Sequence, residues 1–134
     1  MLTVTINRDI EKPVYEQVAD QIRLLIAAGD LEPSTPLPSV RQLAGNLGVN
    51  LNTIARAYRL LENEGFLVIR DRAGVVVAAP AGDIDESKRT MLIDQMRTTL
   101  SRLRQAGMTA DEMLAIVRHE VLAMESTGQE ENDG

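Results

Sequence analysis

From Tyr15 onward the chain places an apolar residue every three or four positions, through Val18, Ile22, Leu25 and Ile26, until Gly29 interrupts the pattern. This spacing predicts one amphipathic helix, with Pro13 near its first turn and glycine just past its end, the places where each residue is best tolerated. The stretch from Leu31 to Pro38 contains three prolines and cannot continue a helix, so a shaped connection is expected there. Ser39, with Gln42 three residues later, makes a capping-box pattern and opens a short helix through Val40, Leu43, Ala44 and Leu47 that stops at Gly48. Asn50 and Asn52 then supply N-cap chemistry. Ile54, Ala57, Tyr58 and Leu61 form the next stripe, ended by Gly65. Two helices separated by so tight a turn predict a helix-turn-helix.

The pattern then changes period. Phe66 to Ile69 and Val75 to Ala79 are β-branched runs flanking Arg70, Asp71, Arg72, Ala73 and Gly74, which predicts a hairpin with a charged tip. Pro80, Ala81 and Gly82 mark a boundary, so residues 1–80 are expected to form one domain. Beyond it the helical period returns. Leu92, Ile93, Met96, Leu100 and Leu103 lie on one stripe, with Asp85 and Glu86 at its start and Arg102 and Arg104 near its end, an order that complements a helix dipole. After Gly107, Thr109 and Glu112 form a second capping box, Met108 and Met113 occupy hydrophobic-staple positions, and Leu114, Val117, Val121 and Met124 make the last stripe. Residues 81–125 are therefore expected to be a helical hairpin, and the acidic, polar residues 126–134 a disordered tail.

Composition narrows the function. The 134 residues carry a formal charge of −6 and contain no Cys and one His. Disulfides, thiolate metal sites and cysteine nucleophiles are thus excluded. His119 beside Glu120 falls short of a ligand set, so no metal or other cofactor is expected. The N-terminus has no signal-peptide pattern and no run approaches eighteen apolar residues, which predicts a soluble cytoplasmic protein without a membrane partner. Aromatic residues make up only 2% of the chain, against a platform for single strands. The negative charge is at first sight wrong for nucleic acid, but it is unevenly distributed. Residues 41–72 hold five Arg against three acids, whereas residues 81–134 hold eleven acids against six bases.

On a wheel of about 100° per residue, Asn52, Arg56, Arg59 and Asn63 fall opposite Ile54, Ala57, Tyr58 and Leu61. Amides and guanidiniums are the side chains whose paired hydrogen-bonding groups match adenine and guanine edges in the major groove. Any soluble surface helix shows some polar face. Its place on the second helix of a helix-turn-helix, followed by a hairpin tip bearing Arg70 and Arg72, favours double-stranded DNA.

The run Gly29-Asp30-Leu31, then Leu37 to Ala44, Gly48 to Tyr58 and Leu61 to Gly65 resembles the GntR family of bacterial transcription regulators, over about Pro13 to Val77. The short remainder is similar to that of the YtrA-like subfamily. The resemblance implies a mainly α fold with a small β-hairpin, namely an N-terminal winged helix-turn-helix followed by a two-helix dimerisation segment. It also implies DNA contacts at Arg41, Asn52, Thr53 and Gly74, to which the reading of the residues adds Ser39, Asn50, Arg56, Arg59, Arg70 and Arg72. Three positions depart from the family pattern: Ser34 stands where glycine is usual after the first-loop proline, Arg72-Ala73-Gly74 replaces Gly-x-Gly in the wing, and Leu51 stands where many relatives carry Pro, Arg or a polar residue.

Larger relatives carry sensor or aminotransferase-like domains, which the 54 residues after Pro80 are too few to build. Enclosing a drug-sized ligand takes roughly 300 Å³ or more, which leaves a pocket between subunits as the open route for an effector. The two tail stripes are more apolar than a lone helical hairpin can hide. They either fold back on the winged helix or, the favoured reading, pair with a second copy. The expectation is a homodimeric regulator, a repressor of a pseudo-palindromic operator; the subfamily resemblance suggests its own operon, often one encoding an ABC transporter. A winged-helix protein-interaction module is the alternative. No nucleophile, base and orienting residue form a set, so an enzyme is not expected.

Overall fold

The computed structural model describes residues 2–70 and 74–132, with side chains described as far as Glu125. The chain divides into two units, residues 1–80 and 81–134.

In the first unit the elements run α1 (Val14–Ala27), β1 (Pro36–Leu37), α2 (Val40–Leu47), α3 (Leu51–Asn63), β2 (Leu67–Arg70) and β3 (Gly74–Val77). The strands form an antiparallel sheet in the order β1-β3-β2, with Leu67 opposite Val77 and Leu37 opposite Val75. The proline-rich connection thus contributes an edge strand that periodicity could not reveal, since two residues have no period. Pro36 fits there because an edge position does not demand its missing N–H. Next to this strand Ser34 has φ 70°, the left-handed conformation that glycine adopts without cost. Its N–H donates to the Val77 carbonyl at 2.8 Å, and Val77 N–H returns a bond to Thr35 O at 3.0 Å. Pairing with β3 therefore holds Ser34 in a conformation that glycine adopts more readily.

Helix α1 packs across α3, α2 packs on α3, and α3 meets β2. The stripes predicted for α1 and α3 converge in one core, in which Val18, Ala19, Ile22, Ile54, Ala57 and Leu61 are wholly inaccessible. Tyr58 joins them through its ring and donates its hydroxyl proton to the Pro38 carbonyl at 2.7 Å. Burial pushes the phenol pKa upward, so this hydroxyl stays a neutral donor. Gln17, the one buried polar residue among those described, clamps the N-terminal arm to α1: its amide oxygen accepts from Asn7 N–H, and its amide nitrogen donates to the Asn7 and Lys12 carbonyls at 2.9 and 2.8 Å. Val4 is thereby added to the core. Lys12 and Arg23 both pair with Asp20, and Arg23 also reaches Glu64 at 2.6 Å, linking α1 to the end of α3.

The second unit consists of α4 (Glu86–Gln105) and α5 (Ala110–Asn132). Asp85 caps α4 through Ser87 N–H at 3.2 Å. Thr109 and Glu112 make the anticipated capping box ahead of α5, with Glu112 N–H donating to Thr109 Oγ1 at 3.2 Å and Thr109 N–H to Glu112 Oε1 at 3.4 Å. Helix α5 continues to Asn132, over part of the stretch expected as a tail. Glu and Gln are good helix formers, residues 126–132 contain no proline, and Gly128 alone costs an established helix only about 1 kcal/mol.

Candidate nucleic-acid interface

The geometry of the helix pair is set by its caps. Ser39 Oγ accepts from Gln42 N–H at 3.1 Å, while Ser39 N–H donates to Gln42 Oε1 at 3.0 Å. At the other end of α2, Gly48 takes the left-handed conformation at φ 67°, and Val49 N–H donates to Ala44 O at 3.0 Å. The chain re-enters a helix at once, because the Asn50 side chain accepts from Asn52 N–H at 2.8 Å. The Tyr58 to Pro38 bond ties α3 back to the residue before Ser39, so the angle between the two helices is held from both ends.

Ser39, Arg41, Asn50, Asn52, Arg56, Arg59, Arg70 and Gly74 are exposed, whereas Thr53 is half-buried. Arg72, the other basic residue of the hairpin tip, lies outside the described residues. These positions are not equivalent. Ser39 and Asn50 spend side-chain oxygens on caps, whereas no hydrogen bond or ion pair engages the side chains of Asn52, Arg41 or Arg59 among the described residues. Gly74, at φ 83°, opens β3 and has nothing within 4 Å of where a Cβ would stand. Leu51 is 43% exposed on the first turn of α3 and stays outside the core cluster, although its neighbours Leu47 and Val49 pack against that core.

Arg56 does not project bare from α3. Its guanidinium lies 3.8 Å from the centroid of the Tyr15 ring, on α1. Grooves open on both sides of this stack, one lined by Pro13, Val14, Tyr15, Asn52, Thr53 and Arg56, the other by Tyr15, Arg56, Arg59, Leu60 and Asn63. In the sequence Tyr15 reads only as a member of the α1 stripe. Its tie to Arg56 joins residues 41 positions apart, which no local periodicity can signal.

In the second unit Leu92, Met96, Leu114, Val117, Val121 and Met124 are between 41% and 66% exposed. Ile93, Leu100 and Leu103 are half-buried. No residue of α4 is buried. Among the described residues there is no cluster of His, Cys, Asp and Glu able to hold a metal, and no helix long and apolar enough to cross a membrane.

Three helices with a capped tight turn between the second and third, backed by a small sheet whose hairpin follows the third helix, define the class of winged helix-turn-helix DNA-binding proteins. Residues 14–77 match the sequence profile of the family described as bacterial regulatory proteins, gntR family. The chain is 36% identical over 103 residues to the uncharacterized HTH-type transcriptional regulator YhcF of Bacillus subtilis, covering 77% of this chain and 85% of that one. It is 30% identical over 122 residues to the HTH-type transcriptional repressor YtrA of the same organism, covering 90% and 92%. The solved structure of YtrA from Sulfolobus acidocaldarius, a GntR-family transcription factor, superposes with a TM-score of 0.60 at 40% identity, covering 73% of this chain and 97% of that one. The chain belongs to the GntR family, with specific similarity to its YtrA-type members, and is a DNA-binding transcriptional regulator.

Proposed function

We propose that this regulator is a repressor that binds a pseudo-palindromic operator as a homodimer, with α3 in the major groove and the stripes of α4 and α5 forming the contact between subunits. The observation that carries the dimer is the row of exposed apolar residues in the second unit, from Met91 and Leu92 to Val121 and Met124. A stripe of that extent is a liability on a monomer and an asset when covered by a second copy. Two-fold symmetry then calls for half-sites one helical turn apart, roughly 34 Å, or a multiple of it. The repressor role is supported by the similarity to the YtrA repressor. Control of the operon carrying its own gene, including an ABC transporter, is the narrowest form of the proposal and follows from the subfamily resemblance alone.

The side chains proposed to read bases are Asn52 and Arg56. Arg41, Arg59 and Arg70 are proposed as phosphate contacts, with Thr53, Gly74 and Arg72 beside them, while Ser39 and Asn50 present the turn to the backbone. Footprinting on the DNA upstream of the gene tests the whole, with a symmetric protected site expected. Asn52→Ala should weaken that site by about 1–3 kcal/mol and relax base preference. Arg70→Ala should weaken all duplexes alike and lower the salt slope by about one. Unchanged affinity and specificity in Asn52→Ala would remove α3 from the groove.

A further inference from the structure

Two arginines of the first unit lie over aromatic rings, and they differ in what their N–H groups do. Arg23 sits 5.7 Å from the Phe66 centroid and spends Nη1 on Asp20 at 2.9 Å and Nη2 on Glu64 at 2.6 Å. Arg56 sits closer to its ring, 3.8 Å from the Tyr15 centroid, and no hydrogen bond or ion pair engages its guanidinium among the described residues. A guanidinium uses its flat face to stack and carries its five N–H donors in the plane, so stacking leaves every donor unspent. Part of the rotamer freedom that a bare surface arginine loses on binding is already given up here. The seat is itself fixed: Tyr15 is half-buried against the core, and its hydroxyl donates to Glu16 Oε1 at 3.2 Å. Neither Arg41 nor Arg59 has such a seat among the described residues.

We propose that Tyr15, which lies outside the helix-turn-helix pair, is a positioning residue for DNA recognition. Its ring presets Arg56 as a donor fork aimed at a planar pair of acceptors. A guanine O6/N7 edge and a phosphate group both offer such a pair. The proposal rests on the reading of α3 as the DNA-contacting helix and is tested so that the two can fail separately. A duplex selected by the wild-type protein from a random-sequence pool serves as specific probe, and an unselected duplex as control.

Tyr15→Leu should weaken the selected duplex by about three- to tenfold, the range expected from losing a cation–π contact. Tyr15→Phe, which keeps the ring, should bind as wild type. Arg56→Ala should cost about tenfold or more and should cost little further in the Tyr15→Leu background. Tyr15→Met, about as large as Leu but unbranched and better able to fill an irregular gap, replaces the Leu variant should that one not fold, as judged by circular dichroism. Loss confined to the selected duplex assigns the fork to a guanine edge, and equal loss on both duplexes assigns it to phosphate; either supports the positioning role. The proposal is overturned if Arg56→Ala weakens binding while Tyr15→Leu and Tyr15→Met do not, if Tyr15→Phe is as weak as Tyr15→Leu, or if the two losses simply add. It falls with the role of Arg56 if Arg56→Ala binds normally, whereas a loss in Asn52→Ala in the same assay keeps α3 in the groove.

Discussion

Residues 1–80 and 81–134 carry apolar stripes of the same helical spacing, yet the stripes meet different fates. In the first unit α1, α2, α3 and the sheet turn their stripes toward one point, and every buried apolar side chain among those described lies between Val4 and Val77. In the second unit no residue of α4 is buried, and Leu114 on α5 remains 66% exposed. A stripe at least 100° wide needs partners on more than one side to be covered. A helix pair supplies one partner per helix; a three-helix unit with a sheet supplies two or three. The first unit thus covers its own stripes, whereas the second leaves its stripes open among the described residues.

Paired substitutions sharpen this contrast. Leu61→Ala, at a wholly buried site, should destabilise the protein by about 2–5 kcal/mol in urea denaturation at any concentration. Leu114→Ala should cost little at low concentration and more as concentration rises, because burial that comes from a second copy obeys mass action. Equal, concentration-independent costs at the two sites would erase the distinction between the units.

The next test charges the open stripe. Val117→Asp combined with Val121→Asp should halve the mass seen by sedimentation and weaken binding to a symmetric duplex by about tenfold or more, since one subunit then holds a single half-site. Full-mass dimers in that double variant would move the subunit contact elsewhere. The core of the first unit should be untouched, which a preserved urea midpoint for residues 1–80 would verify.

A smaller effect is expected where the first unit departs from the family pattern. Ser34 at φ 70° occupies a conformation costing a non-glycine residue about 1–2 kcal/mol, and glycine returns part of that gain as unfolded-chain entropy. Ser34→Gly should therefore stabilise the first unit by under about 1 kcal/mol, visible as a higher urea midpoint.

The smallest effect is electrostatic. Partial burial works to raise the Asp20 pKa, but hydrogen bonds and attraction from Lys12 and Arg23 outweigh it, and the carboxyl is held below its ordinary range. A carboxylate with a depressed folded pKa adds stability that is present above the unfolded value and is lost as pH falls through the folded one. The wild type should thus lose more stability than Asp20→Asn as pH drops below about 4. The difference should stay within about 1 kcal/mol, because the Asp20 side chain is 36% exposed.

Much of this was legible from residue order. Pro13, the Ser39 and Gln42 pair, Gly48 and Asn50 mark helix ends by local chemistry, and the structure makes the corresponding caps and bonds. The stripe of α3 named its own buried face, Ile54, Ala57, Tyr58 and Leu61, and hence the opposite face that carries Asn52, Arg56 and Arg59. The contradiction of a net negative protein that binds DNA also eases at this level, since most of the excess acid lies after residue 80.

What residue order left undetermined were the pairings between distant segments. The edge strand at Pro36–Leu37 exists because β3 lies beside it, and the left-handed Ser34 is held by the same strand. The seat of Arg56 on Tyr15 needs α1 to cross α3 at one particular place. Helix ends, stripes and caps are decided within one or two turns of chain, by forces that act between near neighbours, and so the sequence alone determined them. Which face meets which partner is decided by where whole elements pack, and that belonged to the tertiary structure.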